Sequence, residues 1–131
     1  MKLTISSLIV FSFLICSALP ASALATDKQH ASCLDPNSPN KTIARCTETI
    51  NRGDKEVLSD RVAAYMNRGN AYSFNGKFDD AIADFTAAIR LNPDPDAYTS
   101  RGAAYYQKGD TDRAKADWAE AKRLKDPGKS K

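Results

Sequence analysis

From Val62 to Leu124 the apolar residues fall at helical spacing, and the whole pattern then recurs. Val62, Tyr65, Gly69 and Tyr72 are three or four positions apart, so they share one face of a helix. Ala81, Ile82, Phe85, Ala88 and Ile89 make a second such stripe. Polar residues separate the two, with a glycine at Gly76. Thirty-three residues on, Tyr98, Gly102, Tyr105, Gly109, Ala114, Trp118 and Ala121 take the places of Tyr65, Gly69, Tyr72, Gly76, Ala81, Phe85 and Ala88. A fixed period in this range marks stacked repeats, each a supersecondary unit unable to bury its apolar face alone.

Punctuation residues set the expected ends. A helix running to Asn75 is capped by Ser59 or Asp60. Its partner starts at Lys77-Phe78-Asp79-Asp80, with acids at the positive end, and stops at Asn92-Pro93. Pro95 opens a helix over 96–108, Gly109-Asp110 supplies turn and cap, and a last helix covers 111–124. Tight hairpins need small residues where the axes cross, and the expectation is that Gly69 meets Ala81 and Gly102 meets Ala114.

Upstream the pattern is partial. Ile43, Ala44, Thr47 and Ile50 match Ile82, Ala83, Thr86 and Ile89, and Cys46 falls in the place of Phe85. Residues 41–53 therefore read as the second helix of a degenerate unit whose first helix is lost or replaced by the Cys33 segment. Residues 26–40 are polar and rich in turn formers, and read as irregular.

Residues 1–25 have the form of an export leader. Lys2 precedes an apolar run from Leu8 to Leu19, and Ala23-Leu24-Ala25 offers a small-x-small cleavage site, with Ala21-Ser22-Ala23 as the alternative. The run falls short of the roughly 20 residues a membrane span needs. A cleaved leader implies a periplasmic or secreted protein, with a bacterial envelope the expected setting, and no membrane association afterwards. Cys33 and Cys46 then remain as a pair, which in an exported chain reads as a structural disulfide. Twelve residues lie between them, unlike a redox-active CxxC pair.

Net charge is +3, too weak a bias to point to nucleic acid or an anionic membrane. His30 is the single histidine, so neither a Cys/His nor a Ser/His/Asp arrangement is on offer, and no cofactor or metal set is expected. The reading is of a protein that is not an enzyme.

The joint pattern resembles the tetratricopeptide repeat family. Residues 61–94 carry its aromatic, Gly and Tyr on the first helix (Tyr65, Gly69, Tyr72), its turn glycine Gly76, and Ala81, Phe85, Ala88 and Pro93 on the second. Residues 95–127 repeat the set, departing at Thr111 and Pro127. The period is one residue shorter than the family's, which is about 34. The resemblance implies an all-α fold of antiparallel helix hairpins, a short right-handed α-solenoid of about two and a half units, followed by a tail at 128–131.

It also implies a concave groove lined by first helices that receives a protein or peptide. Carried over by face, the groove residues are Met66, Asn67, Asn70 and Phe74, then Asp96, Thr99, Ser100 and Tyr106. The alternative is an assembly subunit that docks, or self-associates, through its terminal helix. Arg68 and Arg101 stand where the family usually has leucine, and Asp84 and Asp117 recur at the same offset. Each arginine is expected to pair with the aspartate of its own hairpin.

Overall fold

In a computed structural model, residues 33–128 are described. The expected leader, residues 26–32 of the polar segment after it, and residues 129–131 lie outside them. Among the described residues are five α-helices and no strand: α1 Pro39–Asn51, α2 Leu58–Phe74, α3 Phe78–Leu91, α4 Pro95–Gln107 and α5 Thr111–Lys125. Each packs on the next, and α2 also touches α4. The regular structure among the described residues is all-helical, as the periodicity demands.

The ends follow local chemistry, with two corrections. The irregular segment stops earlier than expected: the Ser38 hydroxyl caps α1 and Pro39 opens it. At α2 neither Ser59 nor Asp60 is the cap. The helix starts two or three residues earlier, at Leu58, with Val57 in an extended conformation before it and no side-chain cap bond. Asp60 instead puts its charge in the first turn. Gly76 and Gly109 take positive φ of 72° and 90°, which lets each hairpin reverse within three residues.

The core adds a closer contact to the expected glycine–alanine crossings. The atoms nearest a Cβ on Gly69 belong to the Phe85 ring, at 2.7 Å. The aromatic on the second helix lies over the glycine of the first, and that contact sets how closely α2 and α3 approach. Phe85 is 1 % exposed, shared between its own hairpin and Ala104 of the next, with Met66 and Tyr72 packed alongside. Burying such a ring stabilises by roughly 2 kcal/mol. At Gly102 the indole of Trp118 fills the same role, at 2.7 Å, with the Ala114 carbonyl 3.2 Å away. Trp118 keeps 39 % of its surface exposed, and Tyr106 leans on it with ring centroids 5.9 Å apart.

Charged pairs lock each hairpin. Arg68 donates from Nε and Nη2 to the two carboxylate oxygens of Asp84, at 2.8 and 2.7 Å. Arg101 meets Asp117 in the same fork, both bonds 2.8 Å. Two-point geometry of this kind suits guanidinium and not ammonium. Tyr65 and Tyr72 flank Arg68, and Tyr98 and Tyr105 flank Arg101, with ring centroids 5.5–6.0 Å away. The half-buried tyrosines thus serve the arginine as well as the apolar face. The hydrogen bond to Asp84 raises the Arg68 pKa above its ordinary value, against the opposing effect of burial, and the bond to Asp117 does the same for Arg101.

Candidate functional site

No second helix precedes α1 among the described residues. A short strap, residues 33–38, lies along it instead. Cys33 is bonded to Cys46 in a disulfide that forms a small buried cluster with Ala64 of α2. Two residues on, the backbone of Asp35 is tied to Thr42. Its N–H donates to Thr42 Oγ1 at 2.8 Å, and the Thr42 hydroxyl donates back to the Asp35 carbonyl at 3.1 Å. Thr42 and Cys46 are one turn apart on the buried side of α1, so the strap runs antiparallel to the helix. The Asp35 carboxylate also accepts from Asn37 N–H, and Ser38 N–H reaches the Asp35 carbonyl. These bonds anchor the Asp35–Ser38 part of a segment that has no regular structure.

Between the strap and α2 is a cavity of about 290 Å³. Leu34, Pro36 and Pro39 form one wall, and Asn67, Asn70 and Phe74 the other. Asp35, Asn37, Thr42 and Ala71 complete it. Phe74 is 80 % exposed, the most exposed large apolar side chain among those described, and Leu34 opposite it is 47 % exposed. The Asn70 side chain makes no hydrogen bond with a described residue, and that of Asn67 makes a single long contact, Nδ2 to Cys33 Sγ at 3.9 Å. Asn75 Nδ2 bonds Asn40 Oδ1 at 3.0 Å, joining the far end of α2 to the start of α1 beside the opening. The walls are therefore held while the facing side chains stay available.

The eight expected groove residues divide. Asn67, Asn70 and Phe74 line the cavity together. Met66 packs against the Phe85 cluster instead, one position round the helix. Asp96 lies apart, in an exposed ion pair with Lys125 at 3.3 Å. Thr99 turns its hydroxyl back to the Pro95 carbonyl at 2.9 Å, Ser100 is half-buried, and Tyr106 covers Trp118. The second hairpin thus does not extend this cavity.

Leu34, Pro36 and Pro39 were invisible as wall residues in the sequence. The one signal for them was the expected Cys33–Cys46 bond, which brings everything between the cysteines back onto α1. Among the described residues no group of three His, Cys, Asp or Glu side chains is placed to hold a metal ion. A second concavity, at Leu58, Ser59, Val62, Ala63 and Asn92, lies at the opposite end of α2, away from the expected groove residues.

Two family models, both described as tetratricopeptide repeat, match consecutive stretches, residues 62–95 and 95–126. The first covers α2 and α3 and the second α4 and α5. No curated protein matches the chain.

Proposed function

Because the chain belongs to the tetratricopeptide repeat family across residues 62–126, we propose that it is a non-catalytic protein-interaction module that holds a partner's peptide in the cavity between strap and α2. The observation that carries this reading is Phe74. A phenylalanine 80 % exposed on a rigid helix, facing Leu34 across an open cavity, is an unfilled apolar anchor. Asn67 and Asn70 supply amide donors and acceptors one turn apart beside it, suited to a peptide backbone. The leader-like residues 1–25 and the disulfide support an envelope or extracellular setting.

Selection of random peptides displayed on phage tests the reading. Peptides enriched on the wild-type protein should be lost on an Asn70→Ala, Phe74→Ala variant. Equal enrichment on both proteins would remove the cavity from the function.

A second reading, docking through the terminal hairpin, rests on the exposed faces of Trp118 and Tyr106. Sedimentation tests it: a mass that rises with concentration and reverts in Trp118→Ala supports self-association, and a constant monomer mass rejects it.

A further inference from the structure

The strap is not part of either repeat, yet it makes half of the cavity, and its chemistry restricts what the cavity can take. Three observations matter. No lysine or arginine lines the wall, so a terminal carboxylate has no cationic partner there. Asp35 is the one charged side chain in the lining, and it has no ion-pair partner among the described residues. Leu34 is exposed between two fixed points, the disulfide at Cys33 and the Thr42 bonds at Asp35, and its own backbone N–H and C=O make no hydrogen bond with a described residue.

Resting on the cavity reading above, we propose that the strap is the specificity wall of the site, selecting an internal, extended segment of a partner in which a large apolar side chain stands next to a basic one. The apolar side chain enters between Leu34 and Phe74. The basic one meets Asp35 at the rim. The free backbone of Leu34 and the amides of Asn67 and Asn70 hold the extended chain from its two sides. The volume of about 290 Å³ suits one such side chain with its flanking backbone. Because the strap is fixed to α1 by covalent and buried bonds, the wall is ready before the partner arrives, which lowers the ordering cost of binding.

The test uses three pools of N-acetylated, C-amidated decapeptides, otherwise random, with a fixed central Leu-Lys, Leu-Glu or Ala-Lys pair. Binding to the oxidised full-length protein is read by fluorescence anisotropy. The Leu-Lys pool should bind about tenfold more tightly than either other pool. Asp35→Asn keeps the acceptor for Asn37 N–H and should erase the preference for Leu-Lys over Leu-Glu. Leu34→Ala should weaken the Leu-Lys pool about fivefold or more, with no fall in the thermal unfolding midpoint. Wild-type protein that binds the Leu-Lys and Leu-Glu pools equally overturns the proposal. Binding lost in Asn70→Ala, Phe74→Ala but unchanged in both strap variants overturns it while leaving the cavity reading intact. Absence of binding by every pool overturns both.

Discussion

Arg68 Nη1 donates to Thr47 Oγ1 at 2.9 Å, across the boundary between one hairpin and the helix before it. The same guanidinium grips Asp84 in its own hairpin, so one side chain fixes both the fold of a unit and its stacking on the last. Thirty-three residues later Arg101 repeats the arrangement, with Thr86 at 3.1 Å and Asp117 in the fork. Each threonine hydroxyl passes its own proton to the carbonyl four residues back, Ile43 or Ile82, at 2.7 Å. The series ends at both sides. Arg45 stands in the place of Asp84, and Ala119 in the place of Thr86.

Removing Arg68 should therefore cost more than removing its neighbour-unit contact. Arg68→Ala leaves the buried Asp84 carboxylate without a partner and should destabilise by about 3 kcal/mol. Thr47→Val removes one bond at the unit boundary and should cost about 1 kcal/mol. A double-mutant cycle with Asp84→Asn in chemical denaturation measures the coupling. Additive effects would mean that the fork carries no net energy.

The two helix-crossing glycines should differ. Gly69→Ala drives a Cβ into Phe85, which is enclosed and cannot retreat, so the variant should lose about 1–3 kcal/mol despite alanine's better helix propensity. Gly102→Ala meets Trp118, which has solvent to move into, and should be closer to neutral. Thermal unfolding of the two variants side by side decides this. A larger loss at Gly102 would mean that the Ala114 carbonyl, and not the ring, limits the approach.

The disulfide is expected to hold the strap more than the repeats. Cys33→Ser, Cys46→Ser should lower the local stability of the strap and α1 by about 3 kcal/mol. Amide exchange should speed up over residues 33–51 while α3 to α5 keep their protection. Uniform loss of protection across all five helices would show that the staple supports the whole stack.

At the start of α5 the Asp110 carboxyl is held below the usual carboxylate range, first by the Arg113 side chain and then by its backbone N–H. A carboxylate whose folded pKa is lowered stabilises the protein above its unfolded pKa, and that contribution is lost as pH falls through the folded value. The window thus lies below about pH 4. Asp110→Ala should show a shallower decline of unfolding midpoint across that window than the wild type. Parallel curves would contradict this.

Much of the fold was legible because repetition doubles every signal. One glycine or tyrosine says little, but Tyr65, Gly69 and Phe85 returning as Tyr98, Gly102 and Trp118 specify the hairpin. The recurrence of Arg68 and Asp84 as Arg101 and Asp117 likewise pointed to a shared partner. Thr47 and Thr86 were visible as a match, but not as acceptors for those arginines, since that depends on the register between adjacent hairpins. Gly69 was assigned to Ala81 by position along the helices, which does not show that the longer Phe85 side chain reaches over it. The cavity was half legible. Asn67, Asn70 and Phe74 follow from the helix face, but their opposite wall comes from a non-repeating strap that no periodicity describes. Met66 shows the limit of face arguments: one step of 100° separates a groove position from the Phe85 core.

The most direct measurement is a two-dimensional NMR titration of the wild-type protein with a peptide enriched by phage selection. The account predicts that the side-chain amide signals of Asn67 and Asn70 and the backbone amides of Leu34 and Phe74 move together and saturate, while the Trp118 indole N–H stays in place. Shifts centred on Trp118 and Tyr106, with Asn70 unmoved, would contradict it.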